Sequence, residues 1–405
     1  MTLDDLATEL LHAIISRISD RVDLLSLSLV SRRLHDVTKE FLYSKYICPN
    51  HKYTHSYWKI RDLPCQESHT LDNLLRNPRQ RQLIREMDLT ITTVNQDSQY
   101  ASLLLLMPEI EKLAITLEPW SKGAPTSKVI GLLQDFGDPS KAPRFANAFS
   151  MLQKLELTFG GFYNKTPSPA LSTILRIPTL KFLNLEAADL NKEDLLCCPP
   201  RTSSIRTLWL RDVQCGDAWD ILLSRFTSLE VIHAHILIYD DEDLGFLRAI
   251  GNNHNQLQEV WIDNAYMYYS IYEHNLSFRN YAKLWSFQIQ VKESILEELH
   301  GCLSILDILL PFIPDSLQLL EIEFYTGSTA DFRDRVAKAI DWGSVVENGP
   351  LQDLQWVTFW QYTPRKDDKW EDALYRRTYF PEYMWFRAGR QALDLWEKQG
   401  CKELP

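Results

Sequence analysis

The segment LQKLELT, residues 152–158, decides how the chain is read. Leu152, Leu155 and Leu157 hold the apolar positions of the pattern apolar-x-x-apolar-x-apolar, and Lys154, Glu156 and Thr158 alternate with them. A period of two is the mark of a strand with one buried face and one wet face. The pattern appears ten times: IREMDL from 84, IEKLAI from 110, LQKLEL from 152, LKFLNL from 180, IRTLWL from 205, LEVIHA from 229, LQEVWI from 257, LWSFQI from 284, LQLLEI from 317 and LQWVTF from 354. Successive starts lie 26, 42, 28, 25, 24, 28, 27, 33 and 37 residues apart, and six of these nine steps fall between 24 and 28. One unit is therefore being repeated. Helical stretches such as GDAWDILLSRF (216–226), DEDLGFLRAI (241–250) and STADFRDRVAKAIDW (328–342) fill the intervals, so each unit reads strand, turn, helix.

Alternating strands and helices also suit a (β/α)₈ barrel or a doubly wound sheet. Strands covered on both faces read as continuous apolar runs, which these are not. Ten units exceed the eight of a barrel, and no Gly-rich loop follows a strand. The expected fold is α/β, an irregular repeat solenoid with a parallel concave sheet. The long steps at 110–152 and 284–354 imply insertions, and WSKGAPTSKVIGLLQDFGDPSKAPRF (120–145), with its Gly, Pro, Ser and Lys, reads as the clearest loop.

Pairing in register sets equivalent positions about 4.8 Å apart across the sheet. The central wet column then runs Asp88, Ala114, Glu156, Asn184, Trp209, His233, Trp261, Gln288, Glu321, Thr358. Trp209, His233 and Trp261 fall side by side, with Glu186, Arg211, His235 and Asp263 in the next column. Large aromatics and arginine dominate binding hot spots. The candidate target-binding residues are therefore Trp209, Arg211, His233, His235, Trp261 and Asp263. A rival reading has the aromatic-rich tail, residues 370–396, covering the patch. His233-x-His235 offers two imidazoles on one side of a strand, with Asp263 as a neighbour, but no third ligand by motif, and no metal is expected. YDDEDL (239–244) lacks the spacing of an EF-hand loop, and GGFYNKT (160–166) has Asn164 where a phosphate loop needs glycine. No G-x-S-x-G, H-E-x-x-H or motif-paired Cys and His is present.

The 405 residues carry a formal charge of −11 with 45% hydrophobic residues, which fits a folded protein and disfavours nucleic acid and anionic membranes as partners. The start, MTLDDLATEL, lacks the basic region of a signal peptide, and the longest apolar run, LLLLM (103–107), is too short to span a bilayer. Seven cysteines, with no C-x-x-C spacing, read as free thiols in a reducing compartment, cytoplasmic or nuclear.

At the N-terminus Leu6, Leu10, Ile14 and Ile18 recur every four residues, and Leu24, Leu27, Val30 and Leu34 form a second stripe after a cap at Asp20. Two short helices of this kind need a partner or a neighbouring domain to complete a core. The stretch LATELLHAIISRISDRVDLLSLSLVSRRLHDV (6–37) resembles an F-box, and the array that follows resembles the leucine-rich repeats that often accompany one, without their usual asparagine after the strand. The resemblance implies a non-catalytic, cofactor-free substrate receptor that docks the Skp adaptor and the cullin ligase core while its repeats hold a target protein. It places Leu6, Ala7, Glu9, Leu10, Ile14, Leu27, Val30 and Leu34 on the adaptor-facing side. The family's proline is Ala7 here, and Arg33 matches the family's basic position. The implied organisation is F-box over 1–48, helical linker over 49–82, leucine-rich-repeat solenoid over 83–360 and aromatic-rich cap over 361–405. Two other readings stay open: a binding scaffold whose N-terminal helices merely cap the array, and an enzyme on an α/β scaffold.

Overall fold

The computed structural model describes residues 6–18, 20–47, 74–117, 127–141, 149–159, 171–235, 245–246, 249–250, 256–262, 278, 281–292, 313–325, 356–362 and 382–387. The chain divides into two compact units, Met1–Leu183 and Asn184–Pro405.

The first unit opens with three helices rather than two: α1 (Thr8–Ile15), α2 (Arg21–Ser28) and α3 (Arg32–Leu42). Asp20 caps α2 as its position suggests, its carboxylate accepting the Val22 N–H at 2.7 Å. The stripe expected from Leu24 to Leu34 is broken. Ser31 starts a new helix, its Oγ accepting the Leu34 N–H at 3.1 Å. The break turns Leu34 inward. It joins Leu11, Ile15, Leu24, Val37 and Leu42 in a small core, with Leu6, Ile18 and Phe41 at its margin.

After the helices come β1 (Lys45–Ile47), α4 (Pro78–Arg81), β2 (Glu86–Ile91), α5 (Val94–Leu104), β3 (Lys112–Leu117), α6 (Lys128–Gly137), β4 (Lys154–Phe159) and α7 (Leu171–Ile174). β1 to β4 run parallel in chain order, with Lys45, Glu86, Lys112 and Lys154 successively in register. Glu86 joins Lys45 (3.5 Å) and Lys112 (2.5 Å) across three strands. β1 lies inside the segment assigned to the F-box and is too short to show in the pattern. α6 lies inside the stretch read as a loop: Val129, Ile130, Leu133 and Phe136 bury one side of it between the cap Ser127 and Gly137. Gly137 is required there, because a Cβ would stand 1.9 Å from the Thr173 carbonyl oxygen.

The second unit takes in the end of β5 (Phe182–Glu186), then α8 (Lys192–Leu196), β6 (Thr207–Arg211), α9 (Trp219–Leu223), β7 (Val231–His235), β8 (Glu259–Ile262), β9 (Ser286–Lys292), β10 (Leu319–Tyr325), β11 (Trp356–Tyr362) and β12 (Glu382–Arg387). β6 to β11 pair parallel in chain order, and β12 joins β11 antiparallel. β12 falls in the region expected to be a cap; most of that region lies outside the described residues. Each of the ten motifs begins two residues before a strand, β2 to β11.

β5 and β6 end in matching turns. Ala187 and Asp212 take positive φ (55° and 52°), and their N–H groups donate to the carbonyls of Arg211 and His235, both at 2.8 Å. Ala188 and Val213, where the leucine-rich pattern carries asparagine, are buried. Within the second unit, main-chain bonds join these neighbouring turns instead: Gln214 N–H to the Ala188 carbonyl and Leu190 N–H to the Gln214 carbonyl, each 2.8 Å. Among the described residues no helix is long and apolar enough to cross a membrane.

One buried charge ties two repeats of the first unit. The Asp97 carboxylate on α5 is 1% exposed and accepts from Ser127 Oγ (2.7 Å), Lys128 N–H (2.6 Å) and Val129 N–H (3.1 Å) at the start of α6. Asp97→Ala would strand those buried donors. It is expected to lower unfolding free energy by about 2–4 kcal/mol, read from urea denaturation.

Candidate interaction surfaces

The three-helix segment keeps part of its apolar surface outside. Leu10 is 54% and Val30 69% exposed, and Ile14, Val22, Leu25 and Leu29 are exposed with them. α1 divides its side chains by rotation: Leu11 and Ile15 face the core, Leu10 and Ile14 face solvent. Of the residues expected on the adaptor-facing side, Ala7, Glu9, Leu10, Ile14 and Val30 are exposed and Leu6 and Leu27 half-buried. Leu34 is not on that side; it is 1% exposed, because α3 begins before it. Val22, Leu25 and Leu29 were not picked out in the sequence. They lie off the stripe of Leu24, Leu27, Val30 and Leu34 and on the far side of α2 and its C-terminal turn from Leu24. Six large apolar side chains exposed within one small helical segment are more than isolated surface residues. The start of α1 is held from α3: Arg33 Nη2 donates to the Leu6 carbonyl (2.6 Å) and to Thr8 Oγ1 (3.2 Å).

In the second unit the sheet brings together what the register implies. Trp209 pairs with His233, His233 with Trp261, and Trp261 with Gln288. The rings stack: Trp209 and His233 centroids lie 4.9 Å apart at 10°, His233 and Trp261 4.4 Å apart at 8°. Parallel strands at their ordinary spacing place in-register side chains at this distance, so flat rings pack face to face. Trp209 is 40% exposed. Alongside, Arg211 meets Glu186 at 3.5 Å and His235 meets Asp212 at 3.6 Å. Asp263, expected in the same column, lies outside the described residues.

Burial between the two indoles holds His233 neutral, its pKa pushed down to about 4. Glu259, whose carboxylate is 4.0 Å from His233 Nε2, is raised by burial. His233 and His235 thus face different carboxylates. Among the described residues no three His, Cys, Asp or Glu side chains gather as a metal-ligating group. His233 Nε2, Trp261 Nε1 and Arg211 Nε are buried without a hydrogen-bond partner.

No family model and no curated protein matches the chain. Thirty chains of solved structures match it. One of them, described as "Crystal structure of TLR13-ssRNA13 complex", aligns with TM-score 0.32 and 14% identity over 70% of this chain and 41% of that one.

The neutral His233 has a consequence for stability. An unfolded histidine takes its proton near pH 6.5, whereas the folded one does so only near pH 4. Between those values the unfolded state binds more protons, so stability falls as pH falls. Going from pH 7 to pH 5, the wild-type chain should lose about 2 kcal/mol more than His233→Phe, which keeps a flat ring in the stack. Paired urea titrations at the two pH values measure the difference.

Proposed function

We propose that the chain is a substrate-recognition subunit of a cullin-based ubiquitin ligase, its N-terminal helices docking the Skp adaptor and its repeats holding a target protein. The observation that carries the reading is the set of exposed apolar side chains on α1, α2 and the turn after α2, Leu10, Ile14, Val22, Leu25, Leu29 and Val30, which lie outside the core of Leu11, Ile15, Leu24, Leu34, Val37 and Leu42. A helical segment with its own core and a second apolar side fits a partner, whereas a simple cap would spend that side on its own chain. The segment 6–37 that resembles an F-box contains all six. On this reading the chain does no chemistry. Holding a target lysine near a ubiquitin-charged enzyme raises its effective concentration, and that suffices. The target contacts are assigned to Trp209, His233 and Trp261 with Arg211 and His235 beside them, and the net charge of −11 favours a target with a basic or mixed surface.

The second reading, a binding scaffold without ubiquitin transfer, shares the aromatic column and differs only at the N-terminal helices. The two separate cleanly. Leu10→Asp with Val30→Asp places charge on two exposed positions and should leave the melting temperature within a few degrees. Adaptor co-purification should fall at least tenfold, since a charge is then desolvated in an apolar contact. Unchanged adaptor binding by the folded double variant would rule out the F-box reading. At the other surface, Trp209→Ala with Trp261→Ala should weaken target capture by 100-fold or more, at about 2 kcal/mol or more for a hot-spot aromatic. Loss of stability with target capture intact would assign the column to covering by the chain itself.

A further inference from the structure

Resting on the docking reading above, we infer that Arg33 is the residue that positions α1 for docking, in place of the proline that the F-box pattern carries where this chain has Ala7. Ala7 stands at φ −59°, ψ 147°, a conformation proline adopts, and serves as the N-cap of α1 with no side-chain bond to the helix. Alanine does not impose that conformation on the unfolded chain, so its entropy must be offset elsewhere. α1 has only eight residues, too few to hold itself in water.

The guanidinium of Arg33 makes up the deficit by bracketing position 7. Nη2 reaches the Leu6 carbonyl before the N-cap and Thr8 Oγ1 after it, from 27 and 25 residues further along the chain. The bracket ties the first turn of α1 to the first turn of α3, and α3 contributes Leu34 and Val37 to the core that α1 packs on. Rotation is what matters at this site. One residue of slip turns α1 by about 100° and exchanges the exposed pair Leu10 and Ile14 with the buried pair Leu11 and Ile15. Arg33 holds the setting in which Leu10 and Ile14 stay outside.

The test uses the full chain and purified Skp adaptor, with Arg33→Met, Ala7→Pro and the two combined. In Arg33→Met, amide exchange over residues 6–15 should quicken about tenfold while α3 stays protected, and adaptor affinity should fall about tenfold, the loss of roughly one charge-assisted hydrogen bond. Adding Ala7→Pro should return both to within about twofold of wild type. Unchanged exchange in Arg33→Met overturns the inference. So does a loss of affinity that persists when Ala7→Pro has restored protection, because Arg33 would then be touching the adaptor itself. A wild-type chain that fails to bind the adaptor sinks the docking reading instead, and the exchange data still decide whether Arg33 and Ala7 act together on α1.

Discussion

Parallel pairing between strands that follow one another in the chain is the constraint from which the rest proceeds. A parallel neighbour cannot be reached by a tight turn; the chain must travel back to the starting end of the sheet first. Each repeat therefore carries a return segment, and the 24–28 residue steps are the length of one strand plus that return. On β4 Leu155 and Leu157 are buried on one side of the sheet while Lys154, Glu156 and Thr158 stay half-exposed on the other. The wet side then becomes a grid with fixed spacing. Glu86 between two lysines in the first unit and His233 between two indoles in the second use that spacing in different ways: one pairs opposite charges, the other stacks rings.

What was legible in the sequence follows from the same constraint. A period of two survives over six residues with little ambiguity, so all ten repeat strands and the Trp209–His233–Trp261 register could be read directly. Helices were harder. α6 is hidden because its apolar residues, Val129, Ile130, Leu133 and Phe136, are flanked by Gly, Pro and Ser, which dominate a composition-based reading. The N-terminal segment failed at one residue. Ser31 has the right chemistry for a helix start, yet a periodic stripe running through it suggested continuity, and Leu34 was placed on the wrong side as a result. β1 was invisible because three residues are too few to show a period.

The candidate sites divide along the same line. Which residues share a column is a matter of register, and register is set by pattern. The protonation state of His233 is a matter of environment: only the closeness of both indoles, with its effect on solvation, makes the imidazole neutral well below its ordinary range. The bracket around Ala7 was equally hidden, since Arg33 contacts residues more than twenty positions earlier and nothing in local spacing points to them. The asparagine missing after each strand looked like a defect of the repeat. In the second unit its place is taken by small buried side chains, Ala188 and Val213, with main-chain atoms bridging neighbouring turns.

β12 adds one more property. It is the only described strand that runs opposite to its partner, lying against β11 with Trp356 opposite Arg387 and Gln361 opposite Glu382. A strand added beyond β12 in the direction of β6 to β11 would pair with it antiparallel, a contact that needs a short turn rather than a return segment. Reversal thus closes the parallel register at β11: beyond it, side chains no longer stand beside their equivalents in a like-directed neighbour.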